Sequence, residues 1–483
     1  MAEDKTLKLH LSIPDQHVAR SYVQTLFLFP FSNQLLVEDA VKALEEGLLV
    51  ALTRFPYLAG TLGPECPEKG TLTLRYPSKI EPTHVKSLFS YEILAKEEYD
   101  YQELKKRGMP TSTFKGRVFA PRTLREHPGV ISEDVEGIMD FRFNTAPVIG
   151  VEAFFIPGGL ALSAYTHHSV MDGTGRAAFL KHFAEDVRNR GTHDLELIRS
   201  NADGDDSRIN IDARVPHIPF GEPIPEAEVY KHGVEKFKKT LPEGTPCAGK
   251  IFVISRKRME DFREQLISDG IETEKPVSIF NILAALVWIH VTRARKSHLG
   301  EYEESSIAIA CDVRKRLDPP LKKRYMGNLA FGTKATLPIK LLTTEKFVTN
   351  KTIIRTIRCI NYNIAKVDNA WILRHLLYFA HRGPITDTEL GINFSFGPDM
   401  YMTSWLNFEA YEEWNIPGAA PRPEFFRRSH SELDGGIVFL PRPREKINGV
   451  DAPYEILVRI AEEDMNRLVS EEQGLSKWCE TIY

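Results

Sequence analysis

Short apolar strands alternate with helical stripes in two long stretches of the chain, and this alternation constrains the fold more than any other feature. In the first stretch, residues 5–31 read as apolar strands, and apolar side chains then recur at helical spacing over 37–55. In the second, a strand at 250–255 is followed by an apolar helix at 279–294 and a strand at 306–311. Strands that alternate with helices favour a mixed α/β fold in both stretches.

A proline-rich segment separates the two stretches. From about 195 to 245 the apolar pattern is lost, acidic residues cluster at 201–207, and prolines follow at short intervals. This composition is typical of a linker. We therefore predict an N-terminal half at 1–195, a crossover at 196–245 and a C-terminal half at 246–483, with a cleft between two α/β halves of similar size.

Charge and cysteine content exclude several classes of protein. The 483 residues contain 62 Lys and Arg against 66 Asp and Glu, so the basic excess of a nucleic-acid-binding surface is missing. The five cysteines lie far apart and form no Cys-x-x-Cys pair, which disfavours disulfides and a metal cluster. The sequence shows no signal peptide and no apolar window of membrane length. We expect a cytoplasmic protein with no metal, nucleic acid or membrane partner.

One polar cluster directly follows a buried strand. The strand 160–166 leads into HHSVMDG at 167–173, and the end of a rigid strand can present an imidazole to a cleft. The bare His-x-x-x-Asp pattern is weak, because it also occurs at 182–186 and 430–434 and fits a structural or surface pair. The pattern at 182–186 lies within a predicted helix, and the pattern at 430–434 comes after a charged connection. Only His168 has a buried strand before it, which makes it the candidate proton acceptor.

Seven short motifs occur in an order and spacing that match one family of enzymes. They are RFPYLAG at 54–60, HHSVMDG at 167–173, FNILAALVW at 280–288, DVRKRLDPPL at 312–321, YMGN at 325–328, TSW at 403–405 and DGG at 434–436. On these motifs the chain resembles the acyl-CoA-dependent acyltransferases of the BAHD family, above all the fungal branch that contains the trichothecene O-acetyltransferases. The likeness extends over nearly the whole chain.

The resemblance implies two halves similar to chloramphenicol acetyltransferase, with a solvent channel between them. His168 would lie midway along the channel as the general base. It would take a proton from a hydroxyl or amine that attacks the thioester of acyl-CoA, with acetyl-CoA as the expected donor and no permanently bound cofactor. Thr403 and Trp405 would stabilise the oxyanion that forms in this attack.

Other motif residues would support this site. The resemblance implies that Asp172 is structural and pairs with Arg314, with Arg316 as a rival partner. Channel or cofactor contacts are expected from Tyr325, Gly327 and Asn328 and from the basic run Arg256, Lys257 and Arg258, although a solvated edge explains that run equally well.

The chain departs from the family at one motif, and rival functions stay open. An Asp-Phe-Gly-Trp-Gly motif that helps to shape the family's cofactor channel is replaced here by EEWNIPG at 412–418. One rival is a condensation-type enzyme that takes its acyl group from a carrier-protein thioester. Another is an acyltransferase scaffold diverted to a different reaction, such as an elimination. The favoured prediction is a monomeric enzyme that acylates a small molecule of secondary metabolism.

Overall fold

The computed structural model describes residues 6–130, 139–201, 206–219, 221–233, 237–271, 277–321, 325–431, 433–446 and 449–483. Within these ranges the chain forms a mixed α/β fold with two main β-sheets, as the alternation of strands and helices predicts. Positions 202–205 of the predicted acidic crossover lie outside the described residues. None of the helices in the described ranges has the length and apolar content that crossing a membrane requires.

The N-terminal sheet carries the HHSVMDG motif at the end of a central strand. Its five strands, in spatial order, are Phe425–Arg427, Tyr22–Pro30, Gly159–His167, Ile149–Ile156 and Phe89–Ile93. Every residue of Gly159–His167 is buried, so this strand is a rigid base for the motif at its end. A smaller sheet beside it consists of Thr6–Leu9, Thr71–Pro77, Thr61–Cys66 and Ala146–Pro147.

One strand of the N-terminal sheet comes from the other end of the chain. Phe425–Arg427 pairs antiparallel with Tyr22–Pro30, whereas the sequence predicts a charged connection there. Within this strand Arg427 is fully buried, and Glu455 at 2.8 Å neutralises its charge. The C-terminal half thus completes the N-terminal sheet.

The C-terminal sheet has seven strands. In spatial order they are Ala330–Pro338, Glu304–Asp312, Met400–Ser404, Gly436–Phe439, Tyr454–Ala461, Cys247–Ile254 and Thr481–Ile482. Glu304–Asp312 and Met400–Ser404 are parallel and pair only over three residues, Ile307 to Ile309 with Met400 to Met402. Beyond these pairs the two strands separate. The predicted crossover contributes Tyr230–His232, which pairs with Thr388–Leu390 in a two-stranded sheet.

Helices cover both main sheets. The α-helices are Ile13–His17, Val37–Arg54, Pro82–Leu88, Tyr101–Lys106, Gly116–Phe119, Arg122–Arg125, Gly173–Arg188, Leu195–Ser200, Asp206–Asp212, Arg256–Ser268, Ile279–Ala294, Ile339–Thr343, Asn350–Ala365, Asn369–Ala380 and Glu462–Ser470. In the N-terminal half, Val37–Arg54 packs closely on Gly173–Arg188: a Cβ on Gly47 would lie 2.4 Å from Val187 Cγ2. In the C-terminal half, Ile279–Ala294 is buried nearly all round, as its apolar sequence predicts.

Candidate active site

His168 lies in the turn between the buried strand Gly159–His167 and the helix Gly173–Arg188. Its side chain is partly buried. Burial lowers the pKa of the imidazole below its ordinary value of 6.5, and this outweighs the opposing effects of its own backbone carbonyl, Asp172 and Asn328. His168 is therefore neutral at pH 7, which is the form that can accept a proton.

Asn328 fixes the tautomer of His168. The hydrogens of Asn328 Nδ2 go to the backbone oxygen of His168 and to Asp15 Oδ1, each 2.8 Å away, and both of these atoms can only accept. Asn328 Oδ1 then faces His168 Nδ1 at 3.2 Å and accepts a hydrogen bond from it. These partners place the proton of the neutral imidazole on Nδ1. The lone pair on Nε2 is left to act as a base.

Asp172 is a buried carboxylate saturated with donors from the scaffold. Its Oδ1 caps the following helix by accepting from the backbone N–H groups of Thr174 and Gly175, at 3.0 and 3.1 Å. Its Oδ2 accepts from Leu329 N at 2.9 Å. Arg314 adds a two-pronged ion pair, with Nη1 2.8 Å from Oδ2 and Nη2 2.9 Å from Oδ1. These contacts hold the His168 loop against the C-terminal half.

Arg314, and not Arg316, is the partner of Asp172. Arg314 also donates to the backbone oxygens of Tyr325 and Gly327, at 3.1 and 2.6 Å, and so holds the YMGN segment in place. Asp172 and the other acceptors raise the pKa of Arg314 above its ordinary value, against the effect of burial. Arg316 instead donates to two backbone carbonyl groups at 2.7 and 2.8 Å.

The YMGN segment lies behind the His168 loop. The Tyr325 side chain is 2% exposed, and its hydroxyl lies 2.8 Å from Ser12 Oγ. Gly327 fits where a larger residue could not, because a Cβ there would lie 2.5 Å from both Arg208 Nη1 and the Tyr325 hydroxyl. Only Asn328 of the three predicted residues has a described side-chain contact with His168.

Thr403 and Trp405 lie at the end of the strand Met400–Ser404 and directly after it. Thr403 is partly buried. The Trp405 ring is buried and packs under the guanidinium of Arg176, at 4.3 Å from the ring centroid, with Arg428 at 5.4 Å. Burial lowers the pKa of Arg176 to about 9, so its charge persists at neutral pH. These contacts give Trp405 a packing role between the halves.

A cavity of about 620 Å³ opens where the strands Glu304–Asp312 and Met400–Ser404 separate. Its lining comes from both strand ends, from the helices Arg256–Ser268, Ile279–Ala294 and Asn350–Ala365, from the start of the strand Tyr454–Ala461 and from adjoining loops. The charged side chains and those with hydroxyl or amide groups are Arg256, Ser278, Asp312, Ser404, Asn407, Arg442, Arg444 and Tyr454. Asp312 accepts hydrogen bonds from Thr174 Oγ1 at 2.9 Å and from Arg314 Nη1 at 3.0 Å. The cavity therefore reaches the residues that hold the His168 loop, although His168 is not part of its lining.

The structure separates the three residues of the predicted basic run. Arg256 lines the cavity and forms ion pairs with neighbouring carboxylates. Lys257 is exposed and pairs with Asp261 at 2.8 Å, and Arg258 lies over the Trp478 ring at 5.8 Å. Successive helical residues point about 100° apart, so the three side chains face different directions. Of the three, only Arg256 lines the cavity; cofactor contacts from Lys257 and Arg258 stay a prediction.

The sequence motifs did not reveal two arginines of the cavity, Arg442 and Arg444. They lie in the loop PRPREK at 441–446, which has no periodic pattern. The Arg442 guanidinium lies 4.8 Å from the centroid of the Tyr454 ring, another residue of the cavity wall. Two arginines in a proline-rich loop were the only signal that could have indicated them.

His167 and the residues of the two competing His-x-x-x-Asp patterns make packing and ion-pair contacts within the fold. His167 is fully buried between aromatic rings, and burial lowers its pKa to about 3. His182 faces Glu185 at 3.1 Å, and its pattern partner Asp186 pairs with Arg54 at 3.0 Å. In the pattern at 430–434, the aspartate forms a buried ion pair, at 2.7 Å, with the arginine that directly follows the helix Ile279–Ala294.

The segment 412–418, which replaces the family's glycine motif, is anchored by Trp414. Its ring is buried, with centroids 5.1 Å from Phe183 and 5.3 Å from Phe27. Asn415 has a φ of 49° and Gly418 a φ of 80°, so both residues adopt the left-handed conformation that Asn and Gly tolerate best. The altered segment is thus a turn held by an aromatic side chain in the core of the N-terminal half.

Comparison with known proteins identifies the family. The model of the Transferase family matches residues 141–475, more than half of the chain. The chain belongs to the Transferase family. The trichothecene 3-O-acetyltransferase-like N-terminal domain also matches this transferase, at residues 21–186. The family identified from the seven motifs is confirmed, and with it the prediction that the protein is an enzyme.

Individual relatives resemble the transferase over nearly its whole length. An eremophilane O-acetyltransferase of Penicillium roqueforti is 25% identical to it, over 95% of this chain and 96% of that one. The crystal structure of F. sporotrichioides TRI101 complexed with coenzyme A and T-2 has a TM-score of 0.76 at 20% identity, covering 98% of this chain and 99% of that one. Vinorine synthase has a TM-score of 0.59 at 16% identity, covering 99% and 96%. These structures confirm the predicted two-domain α/β fold.

Proposed function

We propose that this transferase moves an acyl group from acyl-CoA to a hydroxyl group of a small-molecule acceptor. The observation that carries the proposal is the Asn328 amide beside His168, because it leaves a neutral imidazole with Nε2 unprotonated. A general base for a hydroxyl nucleophile needs this form. The names of the relatives support an acetyl group and a secondary-metabolite acceptor, since one is an eremophilane O-acetyltransferase and another was crystallised with coenzyme A and T-2.

The proposed reaction needs no covalent enzyme intermediate. The acceptor hydroxyl gives its proton to His168 Nε2 as its oxygen attacks the thioester carbon, and the carbonyl oxygen becomes an oxyanion. The intermediate then re-forms the C=O bond and breaks the C–S bond, and the departing thiolate takes the proton back from His168 Nε2. We assign the Thr403 hydroxyl as the oxyanion donor, with Trp405 packing beside it; one such donor contributes about 3 kcal/mol.

The 620 Å³ cavity is the proposed coenzyme A site. Its three arginines, Arg256, Arg442 and Arg444, are the proposed cations for the phosphate groups. Arg256 pairs with Glu260 and Asp451, and Arg444 with Glu409, so the phosphates would compete with these carboxylates. The net charge of the chain is −4, so the attraction for an anion has to come from such a local patch. The cavity also ends beside Asp312, next to the ion pair of the His168 loop, which gives the thioester a route towards the base.

Both halves of the chain are required in this proposal. His168 and Asp172 belong to the predicted half 1–195, whereas Arg314 and Asn328 belong to 246–483 and contact them directly. We propose these boundaries for the two halves, with 196–245 as the crossover, and a monomer as the active unit because one chain supplies every named group.

The test of the proposed function is a donor comparison. Free-thiol release is measured from acetyl-CoA and malonyl-CoA, and acyl transfer from acetylated acyl-carrier protein, each with a panel of small alcohols and amines. We expect acetyl-CoA to be used and alcohols to be acylated. Transfer only from the carrier protein would show a condensation-type enzyme. Absence of coenzyme A binding, together with activity on another substrate that survives His168→Ala, would show a diverted scaffold.

A further inference from the structure

Asp15 is a buried carboxylate in the first helix, Ile13–His17, and it joins distant parts of the chain. Its Oδ1 accepts hydrogen bonds from Asn328 N and Nδ2, both at 2.8 Å. Its Oδ2 accepts from Ser12 N and Oγ, at 2.9 and 2.7 Å, and forms an ion pair with Arg208. The carboxylate is 0% exposed, so these side chains and backbone groups replace water around it.

Asn328 connects this carboxylate to the proposed base. Because Asp15 Oδ1 can only accept, it orients the amide with Nδ2 towards itself and Oδ1 towards His168 Nδ1. We propose that Asp15 is a positioning residue for acyl transfer: through Asn328 it holds the proton of His168 on Nδ1 and leaves Nε2 as the base. This inference rests on the proposed function, since it assigns the proton transfer to His168.

Arg208 sets the direction of this chain of hydrogen bonds. It lies in the helix Asp206–Asp212 of the crossover, and its buried guanidinium pairs with Asp15 and donates to the backbone oxygen of Val170 at 2.7 Å. A buried guanidinium requires acceptors on every side where it meets a polar group. The side of residue 15 that faces Arg208 therefore has to accept, whatever the residue is.

An Asp15→Asn variant puts a donor where Asp15 has an acceptor, on the side that faces Asn328. A carboxamide has one accepting oxygen and one donating NH₂ group, and the oxygen has to face Arg208. The NH₂ group of the variant then faces Asn328 donor to donor. If the Asn328 amide turns over, it donates to His168 Nδ1 and favours the imidazole proton on Nε2. If it shifts away, only the backbone carbonyl of His168 remains as an acceptor beside the ring. Both changes reduce the fraction of His168 that carries a free lone pair on Nε2.

The test is a double-mutant cycle on kcat, with Asp15→Asn and Asn328→Ala at saturating acetyl-CoA. We expect Asp15→Asn to lower kcat by roughly 10²-fold or more, as a wrong imidazole tautomer does elsewhere, with KM for acetyl-CoA within about 2-fold of wild type. In the Asn328→Ala background we expect the same change to lower kcat by less than about 3-fold, because the connection is already broken. A residue that only stabilises the fold would show no such coupling.

Asp212→Asn is the matched control. Asp212 anchors the same first helix by accepting from Ile13 N at 2.8 Å, and it lies 2.6 Å from His10 Nε2. Its described contacts do not include Asn328. We expect kcat of this variant to stay within about 2-fold of wild type, since loosening the helix alone does not change the tautomer.

A second variant separates the effect of Asp15 on catalysis from the effect of breaking its buried ion pair. Asp15→Asn leaves the Arg208 charge without its anion, so Asp15→Ala/Arg208→Leu, which removes both charges together, is measured beside it. We expect this variant to fold, to bind acetyl-CoA and to have a kcat at least about 10-fold below wild type. Wild-type kcat in either Asp15 variant, or equal losses in both backgrounds of the cycle, would overturn the positioning role. Full activity of His168→Ala would instead overturn the proposed function.

Discussion

Removing the charge of Asp172 is expected to destabilise the protein by about 3 kcal/mol. The carboxylate is 2% exposed and receives two hydrogen bonds from Arg314, besides three from backbone N–H groups. Breaking one side of a buried ion pair costs about 3–5 kcal/mol. The lower value applies here, because Arg314 keeps Asp312 and two backbone carbonyls as acceptors. Asp172→Asn keeps an oxygen that can cap the helix Gly173–Arg188. Asp172→Ala also loses this cap, which lowers the unfolding free energy by about 1 kcal/mol more.

The assay is urea unfolding followed by tryptophan fluorescence, with Asp312→Asn as the control. Asp312 also pairs with Arg314, but its side chain is 43% exposed, so we expect its loss to cost less than about 1 kcal/mol. The predicted order of stability is wild type, Asp312→Asn, Asp172→Asn and then Asp172→Ala. Equal losses for Asp172→Asn and Asp312→Asn would refute the reasoning that burial makes the Asp172 pair the stronger one.

The remaining predictions concern catalysis, donor binding and the altered motif. Because burial lowers the pKa of His168 below 6.5 and the base must be neutral, a pH–rate profile of kcat/KM is expected to lose activity only below pH 6.5, and an acid limb centred above pH 6.5 would contradict this. Arg442→Ala/Arg444→Ala is expected to raise KM for acetyl-CoA by roughly 10-fold, as loss of charge-assisted phosphate contacts does, while Lys257→Ala leaves it unchanged in the same steady-state assay. Trp414→Ala is expected to lower the unfolding free energy by about 3–5 kcal/mol, and a loss below about 1 kcal/mol in urea unfolding would show that the segment 412–418 is not anchored by its ring.

Local patterns were sufficient to predict the parts of the fold in which burial follows from sequence. The helix Ile279–Ala294 has the predicted bounds, because nearly every residue in it is apolar and buried. The predicted strand 160–166 lies within Gly159–His167, and the helix predicted to contain the pattern at 182–186 is Gly173–Arg188. The strand Phe425–Arg427 was not predicted, because its buried arginine depends on Glu455, a partner that no local pattern reveals.

The sequence predicts the residues of the candidate site that lie in short motifs. It does not predict contacts between residues that are far apart in the sequence and lie outside these motifs. His168, Asp172 and Arg314 lie in motifs that the family resemblance brings together, and the structure places the latter two in contact. Asp15 is 313 residues from Asn328 in the sequence, and no local pattern around either residue predicts that they are in contact. Only the packing of the first helix against the YMGN segment shows that the orientation of the Asn328 amide is fixed by a carboxylate.

The rate of acyl transfer by His168→Ala, at saturating acetyl-CoA and with an acceptor found in the donor comparison, tests the central claim most directly. We predict that kcat falls by about 10²–10⁴-fold, the contribution of a general base, while calorimetry shows coenzyme A bound as in wild type. The cavity proposed for coenzyme A does not include His168 in its lining, so we expect the variant to lose proton transfer without losing binding. A variant that binds coenzyme A and retains wild-type kcat would contradict the claim that His168 is the base.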